Sequence, residues 1–143
     1  MKILVDADAC PVKEIIVKHA RKRDIPVCML IDTSHVLHDG YSEIITVDKA
    51  RDSVDLALIN RTSMNDIVVT QDYGLATMVL AKKAKALNQN GLIYTENNID
   101  KLLFDRHIGQ KIRASGGRMT SIKKRTKEDD AKFEAAFLSL LGD

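Results

Sequence analysis

The sequence opens with MKILVDADACPVKE (residues 1–14), in which a short apolar run leads directly into two aspartates one residue apart. The apolar run Lys2–Val5 is typical of a buried β-strand. Asp6 and Asp8 follow just past its end, and two carboxylates this close repel each other unless water or a cation lies between them. This junction therefore predicts a buried first strand that ends at an acidic site.

The remainder of the chain alternates between apolar strands and segments with helical periodicity. Four more strands are predicted at Pro26–Asp32, Glu43–Asp48, Asp66–Thr70 and Gly91–Thr95. Helices are predicted from Pro11 to about Arg23 and at Arg51–Arg61, Leu75–Leu87, Asn97–Arg113 and Lys127–Leu141. Continuously apolar strands that alternate with helices indicate a parallel sheet covered on both faces. The predicted fold is α/β, a three-layer α/β/α arrangement with a mainly parallel sheet and a C-terminal helical basic extension.

The length of 143 residues predicts a single domain, residues 1–143, with the basic extension covering about 106–143. No apolar run approaches the roughly 20 residues that a membrane-spanning helix needs. The N-terminus lacks the basic-then-apolar layout of a signal peptide, so we expect a cytoplasmic protein without a membrane partner. The only cysteines, Cys10 and Cys28, fit a reducing compartment.

Positive charge is concentrated in one segment of the chain. Eight of the 22 Lys and Arg residues lie between Arg106 and Lys127, and this stretch contains no Asp or Glu. A solvated surface normally mixes charges of both signs, whereas a one-signed basic segment is typical of polyanion binding. The expected nucleic-acid contacts include Arg113, Arg118, Lys123, Lys124 and Arg125. The last three adjoin a Ser/Gly-rich stretch, so we expect them to be mobile and exposed.

Further aspartates are predicted to meet Asp6 and Asp8. Ligand sites in open parallel sheets form outside the carboxyl ends of the strands, where the strand order reverses. Asp72 follows the fourth predicted strand, and Asp52 and Asp55 lie near the start of the helix after the third. Asp52 can also be read as a residue favoured by the helix dipole, and Asp72 as a helix N-cap.

Carboxylates without interleaved Lys or Arg are best held together by a hard divalent cation, Mg²⁺ or Mn²⁺. The predicted metal ligands are Asp6, Asp8, Asp52, Asp55 and Asp72. Such a site beside a basic surface suggests metal-assisted hydrolysis of a phosphodiester, in which no side-chain nucleophile is required. The expected catalytic residues are Asp6, Asp8, Asp55 and Asp72.

Several motifs resemble the YaiI/YqxD-type family of small bacterial proteins, which is grouped with the PIN-like domains. They are DADACP at the end of the first strand, TQDYGLA after the fourth, GLIYTENNI, and the basic region containing SGG. The resemblance covers essentially the whole chain. It implies a PIN-like fold, and by analogy with ordinary PIN domains it implies a metal-dependent nuclease that favours RNA over DNA.

The resemblance also implies roles for individual residues. Asp6 and Asp72 match the aspartates that end the first and fourth strands of PIN domains, and Asp55 or Asp52 matches the acidic residue of the middle helix. Asp8 lies where many PIN domains have a second polar ligand. Thr70 resembles the hydroxyl residue before the last aspartate, and we expect it to contact substrate. Cys10-Pro11 and the basic C-terminal third depart from the PIN pattern.

Two other functions remain open from the residues. A non-catalytic RNA-binding module would use the same basic segment. A haloacid-dehalogenase-like phosphatase also begins with two aspartates after its first strand, but Cys10 stands where that class has Thr or Val, and Gln71-Asp72 replaces its acidic pair. Cys10 at a helix start could be a reactive thiol or a packed residue. His35 and His38 could pair on a metal or be ordinary loop residues.

Overall fold

The structure is a computed structural model that describes residues 1–8, 10–32, 37–48, 53–114 and 124–142, with the backbone alone for 106–114. The strands are β1 (Ile3–Asp6), β2 (Val27–Asp32), β3 (Glu43–Val47), β4 (Ile67–Val69) and β5 (Lys85–Leu87). The helices are α1 (Lys13–Lys22), α2 (Val54–Arg61), α3 (Tyr73–Ala81), α4 (Glu96–Ala114) and α5 (Lys127–Leu141). No helix in these ranges combines the length and apolar character that crossing a bilayer requires.

The five strands form one parallel sheet in the order β3-β2-β1-β4-β5. The chain adds strands on one side of β1 through β2 and β3, and then crosses to the other side to add β4 and β5. The strand order therefore reverses between β1 and β4, where Ile3 pairs with Ile67 and Val5 with Val69. This topology confirms the predicted α/β fold and makes strands one and four neighbours.

Alternate residues of each strand contribute to two apolar cores, one on each face of the sheet. Ile3 and Val5 pack with α1 and with Phe133 and Phe137 of α5. Leu4 packs on the opposite face with residues of α2, α3 and α4. Two helix layers thus cover the sheet, as the continuously apolar strands predict. By the same alternation, Asp6 shares its side of the sheet with Leu4, which is the side covered by α2 and α3.

The position of the fifth strand differs from the prediction. The predicted helix Leu75–Leu87 ends at Ala81, and strand β5 occupies its last three residues. Lys83 adopts a positive φ of 64°, which a continuing right-handed helix does not allow. Alanine content suggested a helix here, but Ala86 and Leu87 are fully buried beside β4. Burial in the sheet therefore overrides helix propensity.

The segment predicted as the fifth strand, Gly91–Thr95, instead folds back along β5. It makes a single antiparallel bridge between Ile93 and Leu87, and the Tyr94 N–H donates to the carbonyl of Ala86 at 2.9 Å. The side chain of Asn88 organises the intervening turn, because its Oδ1 accepts from the backbone N–H groups of Asn90 and Leu92. This turn reaches the carboxyl edge of the sheet.

Candidate functional site

Asp6 and Asp72 lie at the carboxyl ends of neighbouring strands, at the point where strand order reverses. Asp6 is the last residue of β1, and Asp72 is the N-cap of α3 three residues after β4 ends. Burial raises the pKa of Asp6, and the carboxylates of Asp72 and Asp8 raise it further, while a hydrogen bond from Thr70 opposes the shift. The two aspartates are therefore close enough to repel each other, as the topology predicts.

Asp55 reaches the same place from α2. It lies in the first turn of that helix, which begins at the N-cap Ser53. Burial raises its pKa to about 6, reinforced by the charge of Asp72, a side-chain hydrogen bond to Asp72, and the charge of Asp6. The hydrogen bond with Asp72 and the neighbouring charges thus favour the protonated form of Asp55. Asp6, Asp55 and Asp72 thus form one acidic cluster, which we call the carboxylate edge.

Thr70 fixes the relative positions of two of these aspartates. Its hydroxyl donates to Oδ2 of Asp6 at 3.1 Å and accepts from the backbone N–H of Asp72 at 3.0 Å. The side chain is 2% exposed, and its carbonyl accepts from the Tyr94 hydroxyl at 3.1 Å. The residue expected to contact substrate is therefore buried behind the carboxylates, where it orients them.

Asp72 is also the helix cap that the alternative interpretation predicts. Its Oδ1 accepts from the backbone N–H of Leu75 at 3.1 Å. A carboxylate has two oxygens and can accept several hydrogen bonds, so capping α3 with one oxygen leaves the other for a different ligand. Capping also fixes the side-chain rotamer and thereby the direction of the second oxygen. The two interpretations of Asp72 are compatible.

Asp8 is held on the other side of Asp6. Its Oδ2 accepts from the backbone N–H of Asp32, the last residue of β2, at 3.1 Å. It lies near enough to Asp6 to raise the pKa of that carboxyl. The structure therefore places Asp8 beside the carboxylate edge and ties it to β2, whereas Asp55 and Asp72 are in direct contact with each other.

A narrow crevice of about 10 Å³ opens beside Asp6, with room for roughly one water molecule. Sequence reasoning missed two of its lining residues, Gln71 and Gln89, whose side chains hydrogen-bond to each other at 2.6 Å. Gln71 adjoins Asp72 in sequence, but nothing in the pattern pointed to Gln89. Cys10 also lines the crevice, and burial raises the pKa of its thiol, so the predicted possibility of an activated cysteine is not supported.

Arg125 of the basic segment contacts the turn after β5, whose Gln89 lines the crevice beside Asp6. Its guanidinium donates to the carbonyl of Gln89 at 2.7 Å, to Asn90 Oδ1 at 2.8 Å and to Asp130 Oδ1 at 2.7 Å. Its side chain is only 22% exposed. The expectation of a mobile, exposed Arg125 is therefore wrong, because the turn after β5 and the first turn of α5 provide acceptors that the sequence pattern does not reveal.

The structure describes some of the other predicted contact residues. Lys124 is exposed beside Arg125, and the backbone of Arg113 lies in α4. Arg118, Lys123, Asp52 and His35 lie outside the described residues. His38 is described and exposed, but its predicted partner His35 is not. Within the described ranges, no three His, Cys, Asp or Glu side chains have the spacing of a metal site.

The raised pKa of Asp55 predicts an effect of the Asp55→Asn substitution on stability. Because the folded-state pKa of Asp55 is about 6, against 3.8 ordinarily, its contribution to stability is full below pH 4 and is lost as pH rises through 6. Asparagine donates to Asp72 as the protonated acid does, but carries no charge. After allowance for solvent screening, we expect the free energy of unfolding of Asp55→Asn to exceed that of the parent by about 1 kcal/mol at pH 7.5. This corresponds to a rise in Tm of about 2–4 °C.

Thermal unfolding of both proteins at pH 7.5 and pH 4 measures this gain. It should disappear at pH 4, where Asp55 of the parent is protonated. Equal melting temperatures at pH 7.5, or a gain in stability that persists unchanged at pH 4, would contradict the raised pKa of Asp55. Asp100→Asn on the exposed surface of α4 serves as the control and should have no effect at either pH.

Comparison with known proteins shows similarity along almost the whole chain. The family described as "Uncharacterized BCR, YaiI/YqxD family" matches residues 4–143. A UPF0178 protein of Ruminiclostridium cellulolyticum is 68% identical over 138 residues, which cover 96% of this chain and 90% of that protein. UPF0178 proteins of Alkaliphilus oremlandii and Exiguobacterium sibiricum are 57% and 47% identical, over 100% and 99% of this chain and 92% and 96% of their own lengths.

No solved structure matches this chain. Two of the four motifs that suggested the family, DADACP and TQDYGLA, lie at positions that build the carboxylate edge, namely the turn after β1 and the turn after β4. The family match begins at Leu4 and extends to the last residue, so it includes both of these turns as well as the basic segment. The chain belongs to the YaiI/YqxD family of bacterial proteins.

Proposed function

We propose that the protein is a divalent-metal-dependent nuclease that hydrolyses phosphodiester bonds, with RNA favoured over DNA by analogy with PIN domains. One observation carries this proposal: Asp6, Asp55 and Asp72 come from three separate elements and meet where the strand order reverses. Such a cluster does not stabilise the fold, because it places charges of one sign together and raises the pKa of two of the carboxyl groups.

The donor set suits Mg²⁺ or Mn²⁺. Asp6, Asp55 and Asp72 would hold the ion, with Asp8 next to them, and carboxylate oxygens are the ligands that hard cations prefer. The described side chains do not have the spacing of a metal site, and a hydrogen bond with Asp72 favours the protonated form of Asp55 instead. Loading would replace the proton of Asp55. When bound, the ion would polarise the phosphoryl oxygen and lower the pKa of a coordinated water.

The chain's own residues would supply the positioning of the carboxylates. The Thr70 hydroxyl orients Asp6, and the N-cap hydrogen bond orients Asp72. Asp55, with a pKa raised to about 6, loses its proton readily near neutral pH, as a carboxylate must before it can hold a metal ion. Burial of Thr70 keeps this arrangement rigid before substrate binds.

The nucleic-acid partner is supported by charge. The segment from Arg106 to Lys127 carries eight of the chain's basic residues and no acidic ones. Arg125 fastens its C-terminal end to Gln89, which lines the crevice beside Asp6. A polyanion bound by this segment would therefore be held near the carboxylate edge. Phosphate contacts of this kind give affinity without sequence preference.

A non-catalytic RNA-binding module is the second candidate. The observation in its favour is that the described acidic side chains lack metal-site spacing. Such a module would bind nucleic acid through the same basic segment and leave it intact. A phosphatase of the haloacid-dehalogenase type would instead act on small phosphate monoesters, so the substrate distinguishes the three functions.

The test is incubation of the purified protein with end-labelled single-stranded RNA and DNA in Mn²⁺, in Mg²⁺ and in excess EDTA. The proposal expects cleavage with either metal, faster on RNA, and none in EDTA. Hydrolysis of p-nitrophenyl phosphate is measured in parallel. Binding without cleavage would support the RNA-binding module, and rapid monoester hydrolysis without nucleic-acid cleavage would support the phosphatase.

A further inference from the structure

A groove of about 600 Å³ runs along the outer side of α1. Its α1 wall carries Lys13, Lys18, Arg21 and Lys22, and its opposite wall is formed by Leu37 and His38. The volume lies within the range of sites that bind small molecules or single nucleotides. None of these cations belongs to the segment on which the nucleic-acid prediction rests.

The cations of α1 are arranged to face one extended ligand. They lie on successive turns of a ten-residue helix, and a helical turn advances about 5.4 Å. Within the described residues, neither Arg21 nor Lys22 has a carboxylate within 4.0 Å, and Lys18 is 3.9 Å from Glu134. The groove's own acids, Glu14 and Asp39, are outnumbered. A row of cations with few partners fits a chain of phosphates.

The opposite wall is fixed in place. The Tyr41 hydroxyl donates to the carbonyl of Ile25 at 2.6 Å, and the guanidinium of Arg21 lies 5.3 Å from the centre of the Tyr41 ring. Oδ1 of Asp39 accepts from the backbone N–H groups of Tyr41 and Ser42, so its charge is used within the loop. These contacts anchor the part of the loop that follows Leu37 and His38, which lowers the entropic cost of ordering it when a ligand binds.

The floor of the groove can accommodate a base. Val17 is half-buried and lies between the two walls, and the half-buried Leu37 adds apolar surface from the opposite wall. An apolar floor with a cationic rim matches a nucleotide, which has a flat apolar face and an anionic backbone. The carboxylates of an acidic peptide would pair with the cations, but they would provide no apolar surface to pack on the floor.

One end of the groove lies at the carboxyl end of β1. Lys13, at the N-terminus of α1, places its ammonium 3.4 Å from the carbonyl of Ala7, the residue after Asp6. A strand lying along α1 and past Lys13 would therefore leave the groove at the edge of the sheet where β1 ends at Asp6. We propose that the α1 groove binds single-stranded nucleic acid and guides it to the carboxylate edge. The guidance of the strand to the carboxylate edge rests on the proposed function. The binding of nucleic acid rests on the groove alone.

The test compares two double variants with the same change in net charge. Lys18→Glu with Lys22→Glu alters the groove, and Lys83→Glu with Lys101→Glu alters exposed lysines elsewhere, in the α3–β5 connection and on α4. Binding of a short labelled single-stranded RNA is measured by fluorescence anisotropy in EDTA, where no cleavage occurs. We expect the groove variant to lose about tenfold in affinity at low salt and the control less than about twofold.

The salt dependence gives a second readout. Each lost phosphate contact on a single strand lowers the slope of log affinity against log salt by about 0.7, so the groove variant should lose about 1.4 and the control almost nothing. Thermal unfolding confirms that both variants are folded. Equal loss of affinity in the two variants would overturn the inference, because a general charge effect would then explain it. Weakened binding of polyglutamate or anionic vesicles with unchanged RNA binding would overturn it as well.

The outcomes separate this inference from the proposed nuclease. If the groove variant binds RNA weakly and the parent shows no metal-dependent cleavage, the groove stands and the nuclease proposal fails. If the parent cleaves RNA and the groove variant binds and cleaves as the control does, the groove inference alone fails.

Discussion

Replacing Asp6 with asparagine is expected to reduce metal-dependent RNA cleavage by at least about 100-fold, since even residues that only support a metal ligand are worth 10–100-fold. Asp6 ends the central strand β1 and interacts electrostatically with Asp72, Asp8 and Asp55. Asparagine keeps the shape of the side chain, and its carbonyl oxygen can still accept from Thr70. The substitution therefore removes one negative charge and little else.

The fold should survive this substitution unchanged or slightly more stable. Burial and neighbouring carboxylates raise the pKa of Asp6, so its charged form is unfavourable in the folded state. Asp100→Asn on α4 is the matched control and should cleave RNA at the parental rate. A folded Asp6→Asn protein that retains more than about a tenth of the parental rate would exclude Asp6 from the site.

Gly91→Ala is expected to cost about 3 kcal/mol or more, lowering Tm by about 6–12 °C. A Cβ at this position would lie 2.5 Å from the carbonyl oxygen and 2.8 Å from the carbonyl carbon of Lys132, in α5. Both are backbone atoms that cannot rotate away. Gly91 also has a φ of +86°, a conformation that costs any other residue energy.

Gly40→Ala separates these two causes. Gly40 has a similar φ of +77°, but a Cβ there would meet nothing within 4 Å. We expect it to cost only the conformational strain, about 1–2 kcal/mol. Differential scanning calorimetry of both variants measures the difference, which reports the close packing of the turn after β5 on α5. Equal melting temperatures for the two variants would show that this close approach does not exist in solution.

The close packing of Gly91 on α5 matters for the candidate site because the turn that contains Gly91 also supports that site. Gln89 lines the crevice beside Asp6, and Asn90 and Gln89 accept hydrogen bonds from Arg125. A shift of the turn would move all three groups. We therefore expect Gly91→Ala to weaken RNA binding as well as stability.

The sequence predicts the central part of the fold well, and for a physical reason. The strands β1, β2 and β4 are buried on both sides, so their apolar runs are continuous and unambiguous. Because the carboxyl ends of parallel strands share one edge, placing Asp6 and Asp72 together required only that β1 and β4 be neighbours. Strand β5 was missed because it is only three residues long and follows an alanine-rich helix.

The finer arrangement of the site could not be predicted from one sequence. The choice of Asp55 as the partner of Asp72 depends on where α2 begins, and Ser53 sets that start by accepting from the N–H of Leu56. The fixed position of Arg125 depends on acceptors about 35 residues away in the chain. The α1 groove requires a loop after β2 to pack against a helix before it, and no local pattern encodes this contact.

Isothermal titration of Mn²⁺ into the protein at pH 7.5 shows whether the carboxylate edge binds a divalent ion independently of any substrate. We expect saturable binding in the parent that is lost in Asp6→Asn and retained in Asp100→Asn. Bound metal should also raise the Tm of the parent, since a ligand that binds only the folded state stabilises it. No binding by the parent, or the same binding by parent and Asp6→Asn, would contradict the proposed metal site.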